Sequence, residues 1–146
     1  MPEMQSFKNH ARFDTTYHFI IAPLVLANLV LSAYITIRDW PIHSRSHLWW
    51  IVMSIALVLI VAKLRSYSLA LQDRVIRLEE RLRYALLLPA SDLGKANHLA
   101  LDQIIALRFA PDAELHALIE RTLAEKLTPK QIKAAIVVWR PDYHRI

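Results

Sequence analysis

Apolar positions are distributed along this chain in two distinct manners. Residues 17–37 run for 21 positions without a formal charge. As a helix they span roughly 31 Å at about 1.5 Å per residue, close to the roughly 30 Å hydrocarbon core of a bilayer. A second uncharged run covers residues 48–62 and continues through Lys63, Leu64 and Arg65. The long aliphatic stems of Lys63 and Arg65 let their charges reach lipid headgroups while the helix continues. Both runs read as membrane-spanning helices, because the remaining residues are too polar and too few to wrap two all-apolar helices. The first run starts after a polar lead and exceeds the 7–15 residue apolar core of a secretory signal, so it is expected to be retained.

Beyond the second run the apolar spacing changes. Leu71, Val75, Leu78, Leu82 and Ala85 recur at alternating steps of four and three, the a/d seam of a coiled coil. Asp73, Arg74, Arg77, Glu80 and Arg81 occupy the other face. Neither Pro nor Gly interrupts residues 49–88, so one helix over residues 48–88 is predicted. Its apolar stripe must be covered by the C-terminal helices, another copy of the chain, or the membrane surface. The charge balance, with Glu79 and Glu80 against the nearby arginines, favours protein contacts. The seam covers about two repeats, below the three or four that make a free-standing coiled coil convincing.

Pro89, Ser91, Asp92, Gly94 and Asn97 mark a break. Three short helical segments follow. Leu99, Leu101, Ile104, Ile105, Leu107 and Phe109 carry the first. The second starts at Pro111 and Asp112 and has the stripe Leu115, Leu118, Ile119 and Leu123, with Asp112 and Glu114 in its first turn, where the helix dipole favours them. Thr128, Pro129 and Gln131 form a cap, an N1 proline and a capping box for the last. Ile132, Ala135, Ile136 and Trp139 are its expected buried face, and Pro141 its end.

Composition and charge refine this picture. The chain has 146 residues, 55% hydrophobic, with one glycine and no cysteine. Disulfides, thiolate metal sites, a cysteine nucleophile and glycine-rich phosphate loops are excluded. Basic residues set an orientation. The connection at residues 38–47 carries only Arg38 and Arg45. Lys8, Arg12, Lys63, Arg65, Arg74, Arg77, Arg81 and Arg83 lie on the other side. The positive-inside rule then predicts cytoplasmic termini and an external loop. Trp40, Trp49 and Trp50 fall at the outer interface, and Phe13, Tyr17 and Tyr67 at the inner one.

Within the spans, Asn28 and Ser32 lie one turn apart, and an antiparallel hairpin brings Ser54 to the depth of Ser32. They are expected to join helices by hydrogen bonds. Pro23 frees the carbonyl of Phe19. No charge lies deep in either span, which argues against a proton pump, voltage sensor or autonomous ion transporter. His43 and His47 have metal-ligand spacing, but Pro41 and the serines argue against a helix there. His18 reads as interfacial rather than as a haem ligand. No nucleophilic triad motif is present, and Glu79 and Glu80, about 100° apart on a helix, read as a solvated face. A helix-turn-helix reading would use Lys130, Lys133 and Arg140. It fails on the apolar run at residues 134–138 and on a net charge of only +4 over residues 63–146, from 14 Lys/Arg against 10 Asp/Glu.

Several segments together resemble a family of bacterial two-span membrane proteins of unknown function. They are Gln5 through His10 with Arg12; Gln72, Asp73 and Arg74 with Arg77, Glu79, Glu80, Leu82 and Arg83; Gln103 through Ala110 with Asp112 and Glu114; and Trp139 through Ile146. Pro111 departs from the polar cap residue that the family carries there. The resemblance implies a bacterial cytoplasmic-membrane protein and supplies no activity. It directs attention to cytoplasmic polar residues, expected to form one internal network. Arg74, Arg77 and Arg83 would pair with Asp102, Asp112 or Asp142, and Asn9 and His10 would close over them.

The expected fold is all-α: a transmembrane helical hairpin, a second helix extended into the cytoplasm, and a small C-terminal three-helix region. The expected segments are a lead at 1–16, spans at 17–37 and 48–65 around a loop at 38–47, an amphipathic extension at 66–88 and a helical domain at 89–146. The expected function is non-enzymatic, through helix-mediated assembly as a homo-oligomer or as an accessory subunit of a membrane complex. The expected partners are lipids and membrane subunits or a second copy; nucleic acid, cofactor and metal are not expected. Asn28, Ser32, Ser54, Leu71, Val75, Leu78 and Leu82 are the assembly candidates. Lys63, Arg65, Arg74, Arg77, Arg81 and Arg83 are the candidates for an alternative, a regulator holding an anionic headgroup or ligand.

Overall fold

The computed structural model describes residues 6–7 and 14–142, apart from the Ser44 side chain. The regular structure of the described residues is all helical, with no strand among them. A π-helical turn at Tyr17–Ile21 leads into α1 (Ala22–Arg38); α2 is Ser44–Leu87, α3 Ala90–Ala96, α4 Leu101–Leu107, α5 Asp112–Glu125 and α6 Pro129–Ala135. The chain divides into two compact units, one formed by Phe13–Leu69 and the other by Met1–Arg12 with Ala70–Ile146.

In the first unit α1 and residues 44–69 of α2 form an antiparallel apolar hairpin. Asp14 starts it by accepting a hydrogen bond from the Tyr17 N–H at 3.0 Å, satisfying one of the free donors of a helix N-terminus. The π turn lies directly ahead of Pro23. There the Ala22 N–H reaches back to the Tyr17 carbonyl, a shifted register where proline removes the ordinary i−4 donor. Ser54 is fully buried between the helices. Its Oγ accepts from Asn28 Nδ2 at 2.8 Å and lies 2.9 Å from Ser32 Oγ. The expected approach of Asn28, Ser32 and Ser54 is therefore present. Both serines also lie 2.8 Å from helix carbonyls, Ser32 from that of Asn28 and Ser54 from that of Trp50. Two hydroxyl protons thus serve three contacts, and the cluster never has all three satisfied at once. Among the described residues two helices, Tyr17–Arg38 and Arg45–Leu87, are long and apolar enough to cross a membrane. Most of their apolar side chains face outward, with Phe19 73% and Ile37 78% exposed.

The start of α2 corrects one expectation. His47 lies in the helix and His43 just before it, their ring centroids 5.7 Å apart. Pro41 stands three residues upstream of the first helical position, where its missing N–H costs the helix nothing. The two imidazoles lie side by side at the start of α2, without further His, Asp or Glu ligands grouped around them among the described residues.

In the second unit the C-terminal helices pack on residues 70–87 of α2. The core comprises Tyr84 and Leu88 with Leu99, Ile104, Leu107, Phe109, Leu115, Leu118, Ile119, Leu127, Ile132 and Ile136. Among the described residues four short helices follow α2 rather than three. Residues 90–96, rich in turn formers, make α3, because Pro89 is well suited to precede a helix and Asp92 favours its first turn. Gly94 lies inside that helix, in open space. At α6 the expected cap is present: the Thr128 N–H donates to Gln131 Oε1 at 2.8 Å and the Gln131 N–H to Thr128 Oγ1 at 3.4 Å. The helix ends at Ala135, however, before Trp139. Ile136, Val137 and Val138 are β-branched and weak helix formers. Glu114 takes the N–H groups of Val137 and Val138 at 3.0 and 3.1 Å. Ile132 and Ile136 are nonetheless buried, so the expected apolar face is correct although its final turn is extended.

The face of α2 that packs here is Ile76, Glu80 and Tyr84, continued by Leu88 just beyond the helix, all buried. Leu71, Val75, Leu78 and Leu82 lie on the opposite side, between 46% and 62% exposed. The C-terminal helices are thus not the cover for the a/d stripe.

Candidate functional site

The densest charged cluster lies where α2 meets the loop before α5 and the chain end. Glu80 is 4% exposed. Arg83, one turn on, reaches Glu80 Oε2 with Nη1 at 3.1 Å, the Ala110 carbonyl with Nη2 at 2.7 Å and Asp112 Oδ1 with Nε at 2.8 Å and Nη2 at 2.6 Å. Arg140 Nη1 approaches the other Glu80 oxygen at 3.5 Å. Burial pushes the Glu80 carboxyl above its ordinary range, against the pull of Arg83 and then Arg140. Burial, followed by the Glu80 charge, also raises the Tyr84 hydroxyl. That hydroxyl has no hydrogen-bond partner among the described residues.

A cleft of about 460 Å³ opens beside this cluster, lined by Ile76, Leu82, Leu86, Arg108, Arg140 and Asp142 among others. Arg108 is buried, stacks over Phe109 at 4.4 Å and pairs with Asp142 at 3.1 Å. The Arg140 N–H donates to the Phe109 carbonyl at 2.8 Å, and Phe109 packs against Trp139 at 4.9 Å. Positive and negative groups balance around this cleft, so it has no strong preference for an anion.

The expected single network is realised only in part. Arg83 joins Asp112, but Asp142 pairs with Arg108. Arg74, Arg77 and Arg81 are exposed and make no ion pair among the described residues. The reason is angular, since they follow Tyr84 round the flank of α2, on the side away from Arg83. With Leu78 they line a shallow depression of about 150 Å³. Arg65 lies in the hairpin unit, 3.4 Å from Asp14 and over the Tyr17 ring at 5.2 Å; Lys63 sits over Tyr67 at 5.3 Å. Asn9 and His10 lie outside the described residues. Glu80 corrects the expectation of a solvated Glu79–Glu80 face: only Glu79 is exposed. A signal for this was available, because Ile76, Glu80 and Tyr84 share a four-residue spacing on one face. The tail-holding role of Glu114 had none, since it depends on where residues 137–138 return.

The whole chain, residues 1–146, matches the Family of unknown function (DUF6526). The chain belongs to this family. No curated protein and no solved structure matches it.

A second polar group in the DUF6526 chain joins α3 to α5. Asp92 accepts from Lys95 Nζ at 2.7 Å and lies 3.1 Å from His116 Nε2, and Glu120 is close enough to complete a three-ligand grouping. The Lys95 ammonium already occupies the carboxylate that a cation would need. Lys95, and then His116, hold the Asp92 carboxyl below its ordinary range, and Asp92 raises Lys95 in return.

Two tests follow from this geometry. Arg83→Met leaves Glu80 buried with a weakened counter-charge and should cost about 3 kcal/mol in unfolding free energy. The double variant Glu80→Leu/Arg83→Met should recover most of it, as read by thermal unfolding of the full chain in detergent. A folded-state pKa below the unfolded value of 3.8 makes the Asp92 contribution present above that pH and lost as pH falls through the folded value. The stability difference between the parent chain and Asp92→Asn should therefore shrink on acidification from about pH 7 to about pH 3; a difference that grows would refute the assignment.

Proposed function

We propose that this DUF6526 chain is a bacterial cytoplasmic-membrane protein that acts through helix-mediated assembly, as a homo-oligomer or an accessory subunit of a larger membrane complex, without catalysing a reaction. Two outward-facing apolar helices support membrane insertion. The 22 residues of Tyr17–Arg38 extend roughly 33 Å at about 1.5 Å per residue, enough for the hydrocarbon core. The distribution of Lys and Arg supports cytoplasmic termini. Exposed Trp40, Trp49 and Trp50 near one end of the hairpin and Tyr67 near the other are consistent with interfacial belts.

One observation carries the assembly reading. Leu71, Val75, Leu78 and Leu82 stay exposed although the C-terminal helices already pack on the same segment of α2. A contiguous apolar stripe of this kind marks an interaction surface. The full chain, extracted in mild detergent, should therefore run as a particle heavier than one 16.9 kDa chain plus its detergent, by light scattering, or retain another membrane protein. A monodisperse monomer that retains no other protein overturns the reading.

A second reading rests on Arg74, Arg77 and Arg81, which surround a depression and make no ion pair among the described residues. Three unneutralised guanidiniums favour an anionic headgroup. Arg74→Ala/Arg77→Ala should then weaken retention of anionic lipid by the purified full chain with the helix content unchanged; unchanged lipid retention removes this reading.

A further inference from the structure

The stripe on α2 carries more information than its exposure. In heptad terms Leu71 and Leu78 occupy d positions and Val75 and Leu82 occupy a positions. The buried face, Ile76, Glu80 and Tyr84, falls at b, f and c, directly behind the seam. The intrachain packing therefore leaves Leu71, Val75, Leu78 and Leu82 exposed, with Leu82 also bordering the cleft beside Glu80. Of the two a residues Val75 is β-branched, and with leucine at both d positions that half of the seam favours two parallel strands.

The flanking charges choose a partner. Arg74 and Arg81 lie at g positions on one side of the stripe, and Glu79 at an e position on the other. All three are exposed and make no ion pair among the described residues. In a parallel two-stranded coil, a g residue meets the e residue five positions on in the other strand. Arg74 then faces Glu79 of a second copy, and two-fold symmetry repeats the pair on the other side. An antiparallel arrangement instead sets Arg74 against Arg81, two like charges, and leaves Glu79 without a cation. The same face read on lipid would carry Glu79 into an anionic surface.

We propose that the a/d face of residues 71–82 is a parallel, two-fold symmetric docking surface for a second copy of this chain, with reciprocal Arg74–Glu79 pairs. This rests on the assembly and membrane reading above and names the partner. Insertion with one topology gives both copies the same chain direction on entering the cytoplasm, as the parallel coil requires. Anchorage in one plane raises the effective concentration, which lets about two heptads suffice where a free coil needs three or four.

The chain has no native cysteine, so single-cysteine variants of the full chain report cleanly in membrane vesicles. Under mild oxidation Leu78→Cys should form a covalent dimer. Arg77→Cys, on the flank, should not, because its partner lies beyond disulfide reach. Arg74→Glu added to Leu78→Cys replaces both attractive pairs by repulsive ones and should reduce dimer yield about fivefold; further addition of Glu79→Arg should restore it. No cross-link at Leu78→Cys, equal cross-linking at both positions, or no rescue by the charge swap overturns the proposal. If it is overturned while the parent chain still runs as a large particle or retains another membrane protein, the assembly reading stands without this surface. A monomeric parent chain that retains no other protein removes both.

Discussion

Glu80 puts an ionisable carboxylate among the contacts that hold residues 70–87 of α2 to the C-terminal helices, and much of that unit is arranged around its charge. A buried carboxylate is tolerated only with cations and donors close by. Arg83 supplies the first cation from the next turn of the same helix. Its remaining donors reach Asp112 and the Ala110 carbonyl, which fixes the loop that opens α5. Arg140 approaches from the chain end. Its backbone is anchored by the Phe109 carbonyl, while Glu114 anchors Val137 and Val138. The last turn expected of α6 is given up to this anchoring. One charge on one helix thus constrains both a loop some thirty residues later in the chain and the described end of the chain.

The hairpin obeys a different rule. Its polar side chains are few, and those near the middle of its helices gather at one crossing point, around Ser54. The cluster joins the two helices at one level, so it fixes their register. At the end where residues 14–17 meet residue 65, Asp14 caps the first helix and also receives Arg65, which lies over Tyr17. A single carboxylate there satisfies a helix terminus and a cation together.

The two sides of residues 70–87 illustrate a division of labour within one helix. One side carries Ile76, Glu80 and Tyr84 and is taken up by the chain itself. The other carries leucines and a valine, with arginines on one flank and a glutamate on the other. A stripe buried inside the chain would need no such asymmetric flanks, whereas a symmetric contact between copies uses them directly. On the docking surface proposed above, the charges would supply specificity and the leucines adhesion, on the side of the helix opposite Ile76, Glu80 and Tyr84.

Element positions were largely legible in the sequence, because they depend on local physics. Uncharged length marked the two apolar helices. Pro89 ended α2, and Thr128 with Gln131 started α6, since capping involves only neighbours. Asn28, Ser32 and Ser54 could be matched because a short loop forces antiparallel register. The choice of face on α2 was not legible. Both faces have helical periodicity, and the more apolar one is the one left open. Only the tertiary structure decided that Glu80 is buried, that Arg83 rather than Arg74 or Arg77 meets Asp112, and that Glu114 ends α6 early. Each depends on which distant segment returns to which side of the helix, and periodicity along one segment contains no term for that.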